Sequence, residues 1–305
     1  MSVSTTDTFA PLSLAQERFL LVNRLVGDVP LHNLPVGWRI RGPLNVEVLS
    51  RALGYLAQRH LVLRTRFPNL ADGSAVQEIR PAWQPELEIV SIPDGPDHAR
   101  AESLRAWREA TASRPFTLAE EPAFRASVAR LASEEHVLLL VFHHIAFDGW
   151  SFGVVVRDLG AAYTAFENGR EPDLTPLPLQ YADYAIAQRE WVKGEEAERQ
   201  RARWAKILEG VPTELKIPSD RARPPSPSFR VERLRHVLPA EFRSALEEFS
   251  KATRATPFMI LMAALQALLG RYTGRSDFLI GFPLANRQDR ADLSALVGCF
   301  INILI

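Results

Sequence analysis

One ten-residue stretch constrains the fold of this chain more than any other part of the sequence. A short, continuous apolar run, Val137–Phe142, ends in two adjacent histidines, His143 and His144. An apolar run of this length, bounded by turn-forming residues, predicts a buried β-strand. After Asp148 and Gly149 the apolar residues follow a helical period instead. The histidines therefore lie where a buried strand gives way to a loop and a helix, which is a rigid base for a cleft.

The two histidines are candidates for proton transfer, because imidazole accepts or donates a proton near neutral pH. A single histidine at a strand end is more often structural. Adjacent strand residues point to opposite faces, so His143 and His144 are poorly placed to bind one metal ion. The only cysteine, Cys299, lies far along the chain, and no HExxH or CxxC spacing accompanies it. We expect no metal site, and we expect one histidine to face a cleft while the other packs inward.

The bulk composition excludes several functional classes. The chain has 305 residues, of which 47% are apolar, enough for a large core in two domains or lobes. Lys plus Arg and Asp plus Glu both total 36, so no basic excess indicates nucleic-acid binding. No apolar run approaches the length of a transmembrane helix, and the first residues lack the pattern of a signal peptide. With a single cysteine, these features predict a cytoplasmic protein.

Strand-like and helix-like patterns alternate along the chain, which predicts an α/β or α+β fold. Proline-rich segments, Gly169–Pro178 and Pro212–Ser228, interrupt the patterns and indicate links between elements. Among the predicted elements are helices at Asn45–Gln58 and Gln180–Leu208, paired strands at Phe124–Leu131 and His136–His143, and a strand at Phe278–Phe282.

The histidine stretch and four further motifs resemble those of the condensation domains of nonribosomal peptide synthetases. In family order the motifs are Ser13–Arg18 (SxAQxR), Arg59–Phe67 (RHxxLRTxF), His143–Gly149 (HHxxxDG), Tyr181–Ala185 (YxDYA) and Val297–Asn302 (the start of IGxFVNT). The HHxxxDG signature alone also occurs in related acyltransferases. Five motifs in order across the chain make the resemblance specific.

The resemblance implies a two-lobed fold like that of chloramphenicol acetyltransferase, built from α+β two-layer sandwiches with the active site between the lobes. We expect an N-terminal lobe over residues 1–178, carrying HHxxxDG, and a C-terminal lobe over residues 179–305. The sequence stops inside the apolar segment Cys299–Ile305, whereas family members continue beyond this motif. We therefore expect an incomplete second lobe, and an isolated chain that is poorly soluble and inactive.

The activity that the resemblance implies is amide formation by acyl transfer. The donor acyl or peptidyl group is a thioester on the phosphopantetheine arm of one carrier domain, and the acceptor aminoacyl group is carried by another. The domain itself binds no cofactor, since both substrates arrive on 4'-phosphopantetheine. The expected partners are donor and acceptor carrier domains and an adenylation domain of the same assembly line, with neither nucleic acid nor membrane.

The resemblance assigns catalysis to the second histidine, His144, which either takes a proton from the attacking amine or positions that amine. We expect His143 to pack inward and shape the loop. Gly149 either lets the backbone pass close to the arm, or donates its N–H to the oxyanion, or is a plain turn glycine. Trp150 is expected to pack beside the channel for the arm.

Two further sets of motif residues are expected to be structural. The family pattern pairs Asp148 with an arginine of the second lobe, and Arg287 is the candidate. Removing either partner of a buried ion pair leaves an uncompensated charge and damages the fold. Arg59 and Arg64 either belong to the site or fix the turn between a helix and a strand, and we favour the second interpretation.

Other activities are compatible with part of the pattern. One is a carrier-binding platform without catalysis, as in family members that recruit other enzymes. Another is a related acyltransferase that makes esters or uses coenzyme A directly, and an epimerisation domain shares the histidine signature. The presence of His144, Asp148 and Gly149 favours catalysis, and the motifs outside HHxxxDG favour condensation.

Overall fold

The computed structural model of the chain describes residues 8–27, 29–222, 224, 232, 234–287 and 290–305. The chain divides into two compact units. The first comprises Met1–Arg201 and Pro283–Leu304, and the second comprises Ala202–Phe282 with Ile305.

Strands and helices alternate through the described residues. The strands are β1 (Thr8–Pro11), β2 (Asn33–Arg41), β3 (Thr65–Arg66), β4 (Val76–Ile79), β5 (Leu87–Ser91), β6 (Phe124–Ala132), β7 (Glu135–His143), β8 (Phe282–Leu284) and β9 (Asn302–Leu304). The helices are α1 (Leu14–Val26), α2 (Val46–Arg59), α3 (Asp97–Ser113), α4 (Gly149–Glu167), α5 (Tyr181–Val192), α6 (Glu195–Ile207), α7 (Ala240–Thr253), α8 (Pro257–Thr273) and α9 (Ala291–Ser294). The mixed α and β class expected from the sequence is confirmed.

The central sheet of the first unit has the strand order β2-β7-β6-β5. Strand β7 lies between β2 and β6 and is antiparallel to both, while β5 runs parallel to β6. Every residue of β7 after Glu135 is buried, which explains why its sequence is apolar without alternation. The predicted strand pair at Phe124–Leu131 and His136–His143 is confirmed.

Helices cover both faces of this sheet. On one face, Leu138 of β7 shares a cavity wall with Leu49 of α2 and Leu159 of α4. On the other face, Val137 packs against the partly buried Trp107 of α3. A smaller sheet with the order β1-β4-β3 and a two-stranded sheet of β8 and β9 complete the strands of the described residues.

Two predicted elements differ from the structure. The single helix expected over Gln180–Leu208 is two helices, because the N–H groups of Lys193 and Gly194 bond to carbonyls three residues back and close a tight turn. Acidic residues then favour a new helix start at Glu195. The strand expected at Phe278–Phe282 begins only at Phe282.

Helices α7 and α8 belong to the second unit. Thr256 caps α8, since its hydroxyl accepts from the N–H of Met259, and Gly274 ends the helix in the left-handed conformation, with φ of 68°. In the described parts of the chain no single helix is long and apolar enough to cross a membrane. Only α7 and α8 taken together, bent by 98°, pass that test.

The division into units does not coincide with the lobe boundary expected at residue 178. Helix α5 lies in the first unit because it packs against β1 and α1. The segment Pro283–Leu304 joins the same unit through contacts with the start of α4, described below. The lobes 1–178 and 179–305 therefore stay a prediction about the family fold.

Candidate active site

The loop that joins β7 to α4 is fixed at both ends. At its start the N–H of His144 donates to the carbonyl of His32, at 2.9 Å. At its end Asp148 caps α4, and its Oδ1 accepts from the N–H of Ser151, also at 2.9 Å. Between them Ile145 is fully buried. The loop therefore holds the backbone of His144 in a fixed position.

The imidazole of His144 is partly buried and held on two sides. It stacks on the ring of Phe19 from α1, with centroids 4.8 Å apart and an interplanar angle of 22°. Its Nδ1 lies 3.7 Å from Sγ of Cys299. Its Nε2 has no hydrogen-bond partner among the residues that the structure describes. The ring is thus oriented by the protein while Nε2 stays available for a substrate atom.

His143 points inward, and 3% of its surface is exposed. Its Nδ1 accepts from the N–H of Ile145 at 3.1 Å, and its ring meets Phe19, His32 and Phe116 edge-on. Burial, with smaller contributions from His32 and His144, lowers the pKa of His143 to about 3. The side chain is neutral at physiological pH and shapes the loop, as the alternation along β7 predicts.

Asp148 and Arg287 form a buried ion pair, with Nη2 to Oδ1 at 2.9 Å. Nη1 of Arg287 donates to the carbonyls of Leu293 and Leu296, and the guanidinium lies 4.0 Å from the ring centre of Phe300. The second oxygen of Asp148 accepts from the N–H of Phe300 at 3.1 Å. Both partners lie in the first compact unit, so here the pair joins the start of α4 to the segment 287–300 within one unit.

The sequence predicted no role in the site for Ser151, Tyr181 or Ser13, yet all three support it. Oγ of Ser151 accepts from Nη2 of Arg287 at 2.9 Å and from the N–H of Gly298 at 3.1 Å. The hydroxyl of Tyr181 donates to the carbonyl of Cys299 at 2.6 Å and lies 2.7 Å from Oγ of Ser13. Tyr181 and Ser13 belong to the motifs quoted above, whereas Ser151 does not. The motifs therefore indicate that these two positions matter, but they do not show which residues contact each other.

Gly149 and Trp150 open α4. A Cβ added at Gly149 would meet nothing within 4 Å, so the fold does not require glycine there for space. Nε1 of Trp150 donates to the carbonyl of Ser294 at 3.0 Å, and 45% of the surface of the residue is exposed. Trp150 therefore ties α4 to α9 in addition to presenting an apolar surface.

Arg59 and Arg64 are engaged in internal bonds. Nε of Arg59 and Nε2 of His60 both reach Oδ2 of Asp158, at 2.9 and 2.8 Å. Burial alone would raise the pKa of Asp158, but hydrogen bonds from His60 and Arg157 hold that pKa below its usual range.

Arg64 is buried, and its Nη1 donates to the carbonyl of Pro81. None of the contacts of Arg59 or Arg64 described here involves His144. They support the interpretation that both arginines fix the region between α2 and β3.

Comparison with known proteins identifies the family. The sequence profile described as Condensation domain matches residues 6–305. The dimodular nonribosomal peptide synthase of Bacillus subtilis is 41% identical over 97% of the chain, and phosphinothricin tripeptide synthetase PhsC from Streptomyces viridochromogenes is 39% identical over 98%. The chain spans only 12% and 27% of these two proteins.

A solved structure gives the same result for the fold. The complex of the X-domain and OxyB from teicoplanin biosynthesis contains a chain that superposes with a TM-score of 0.87 at 34% identity, over 99% of this chain and 66% of that one. The five motifs, the assembled histidine loop and these matches lead to one conclusion: the chain belongs to the condensation domain family of nonribosomal peptide synthetases.

Proposed function

We propose that this chain carries the catalytic histidine for amide-bond formation between two carrier-bound thioesters in the cytoplasm. The acceptor amine attacks the carbonyl of the donor thioester, a C–N bond forms and the C–S bond breaks. The donor arm leaves as a thiol, with the proton that the amine loses. The observation that carries the proposal is Nε2 of His144, which the described residues leave without a partner on an otherwise fixed ring.

Two roles for His144 are compatible with this geometry. As a general base it would contribute a factor of about 10²–10⁴. As a group that holds the amine and the thioester together it would contribute more, up to roughly 7–11 kcal/mol of the barrier. Thioesters are reactive and amines are good nucleophiles, so positioning carries more of the rate. The N–H of Gly149, at the start of α4, is the backbone candidate for the oxyanion.

The partners that this function requires are a donor and an acceptor carrier domain, each bearing phosphopantetheine, together with an adenylation domain that supplies aminoacyl groups. The domain itself needs no bound cofactor for the transfer. Its membership of a family found in peptide synthetases several times longer than this chain supports these partners.

One competing function has an observation in its favour. The X-domain of the teicoplanin complex, which superposes on this chain, is bound to OxyB. A recruiting platform would not need an oriented imidazole with a free Nε2. The acylation of other acceptors, with ester formation or with coenzyme A as donor, would need the same imidazole and differs only in substrate.

The test uses the full-length protein and carriers loaded with donor and acceptor. In His144→Ala we expect the rate of amide formation to fall by at least ~100-fold while the melting temperature is kept. His98→Ala, at an exposed position of α3, is the matched control and should behave as the parent. Product formation by His144→Ala near the parental rate would overturn the catalytic role of His144, whereas no product from the parent with loaded carriers would favour the platform. Turnover with coenzyme A thioesters in place of carriers would favour the other acyltransferases.

A further inference from the structure

The sulfur of Cys299 is the only described group within hydrogen-bonding distance of a ring nitrogen of His144. The distance of 3.7 Å to Nδ1 suits a bond to sulfur, whose larger radius lengthens its hydrogen bonds. Cys299 is fully buried and forms no disulfide. Packing alone does not require a cysteine to face this nitrogen.

The backbone around the sulfur is fixed by four hydrogen bonds. The carbonyl of Cys299 accepts from Tyr181, and the N–H of Phe300 donates to Asp148. On the other side the N–H and the carbonyl of Gly298 both bond to Oγ of Ser151. Moving the backbone of Cys299 away from His144 would break part of this set, and the full burial of the side chain leaves the sulfur enclosed beside the ring.

We propose that Cys299 is a positioning residue, whose thiol donates its hydrogen to Nδ1 of His144 and so keeps the ring hydrogen on Nε2. This inference rests on the proposed function and specifies the role of His144. Imine nitrogen is a strong acceptor and sulfur a weak one, which favours S–H···N over N–H···S.

The surroundings keep the thiol protonated. Burial, followed by the nearby charge of Asp148, raises the pKa of Cys299 to about 12, against smaller opposing effects of Arg18 and Arg287. His32 and His143 are further ionisable neighbours of His144, and burial lowers the pKa of both. The thiol therefore has a hydrogen to donate throughout the physiological range.

The mechanistic consequence is that His144 is a hydrogen-bond donor before the reaction starts. With hydrogen on Nε2, the ring stabilises the oxyanion that forms when the amine nitrogen bonds to the thioester carbon. The C–S bond then breaks, the carbonyl re-forms, and the proton lost by the amine nitrogen passes to the departing sulfur of the arm. His144 gains and loses no proton overall.

Three variants of the full-length protein separate the hydrogen bond from packing. Cys299→Ser keeps a donor, whereas Cys299→Ala and Cys299→Val remove it, one with a smaller and one with a larger side chain. With loaded carriers we expect kcat to fall about tenfold in the Ala and Val variants, with KM for the acceptor carrier unchanged, which corresponds to the loss of one hydrogen bond. Cys299→Ser should stay within about threefold of the parent.

Nitrogen-15 spectra of ring-labelled histidine report the tautomer directly, because a ring nitrogen with hydrogen resonates apart from a bare one. The signals of His144 are those missing from His144→Ala. We expect a bare Nδ1 in the parent and in Cys299→Ser, and a mixture of tautomers in Cys299→Ala and Cys299→Val.

Hydrogen on Nδ1 in the parent would overturn the inference, and so would Ser and Ala variants with equal losses, which would indicate packing. Unchanged turnover in all three variants would also overturn it. None of these outcomes touches the proposed function, which depends on His144→Ala.

Discussion

The guanidinium of Arg287 and the carboxylate of Asp148 are 2.9 Å apart, and both side chains are at least 97% buried. The carboxylate also caps α4 and accepts from the N–H of Phe300, so one side chain joins a helix start to a distant segment. N–H groups of Ser151, Phe300 and Arg287 donate to the carboxylate and compensate for its loss of hydration. Burial lowers the pKa of Arg287, opposed by the charge of Asp148. The pair therefore fixes the end of the loop that presents His144.

We expect Arg287→Ala to lower the free energy of unfolding by about 3–5 kcal/mol, because it leaves the charge of Asp148 buried without a cation. The matched control is Arg290→Ala, which breaks the solvent-exposed pair of Arg290 and Asp292 and should cost no more than about 1 kcal/mol. Denaturant unfolding of the three proteins measures both differences. Arg287→Ala with the stability of its parent would contradict the structural role of the pair.

The site and its fold were predictable to different degrees. The apolar run Val137–Phe142 gave the central strand, because a strand buried on both faces needs no alternation. The motif pattern also named Asp148 and Arg287 as partners, 139 positions apart. The stacking of Phe19 on His144 and the contact from Cys299 have no local signal, since they depend on how α1 and the segment 287–300 meet the loop.

The helix break at Lys193 shows a second kind of limit. Residues on both sides of it have helical propensity, so the sequence pattern predicts a single helix over Gln180–Leu208. One glycine in such a run lowers helix stability by about 1 kcal/mol, which tertiary packing readily outweighs. The sequence pattern does not show the packing that decides whether the helix ends near Gly194.

The buried state of His143 predicts a pH dependence of stability. Its pKa is about 3 in the folded chain and near 6.5 when unfolded, so between these values only the unfolded state binds a proton. This contribution to stability is complete above pH 6.5 and is lost as the pH falls towards 3. Relative to His143→Gln, the parent should lose up to about 1.4 kcal/mol more per pH unit between pH 6 and 4.

Denaturant unfolding of the parent and His143→Gln at several pH values measures this difference in slope. At pH 8 the comparison reports packing and the bond from Ile145 alone, which should make the variant less stable by about 1–3 kcal/mol. Equal slopes in acid would show that His143 can bind a proton without unfolding.

The stacking of Phe19 on His144 predicts a variant that loses activity more than stability. Phe19→Leu keeps an apolar side chain of similar reach but removes the flat face that orients the imidazole. We expect a loss of about 1 kcal/mol of stability, together with a fall in kcat of about tenfold and little change in KM. Phe116→Leu, which changes a ring that contacts His143 instead, is the matched control for activity. Equal kcat values in the two variants would show that stacking does not orient the ring.

Gly298 lies directly against the ring of Tyr181. A Cβ at residue 298 would overlap the ring of Tyr181, which is fully buried and cannot swing away without breaking its bonds to Ser13 and Cys299. Gly298→Ala should therefore destabilise the chain by about 1–3 kcal/mol through overpacking, and should lower kcat because the sulfur of Cys299 moves with its backbone. Gly149→Ala is the matched control, since open space surrounds that position and the parental melting temperature should be kept. Thermal unfolding compares both variants with the parent, and the loaded-carrier assay compares Gly298→Ala with the parent. A Gly298→Ala protein with parental melting temperature and turnover would show that the segment 297–300 adjusts freely and does not hold the site.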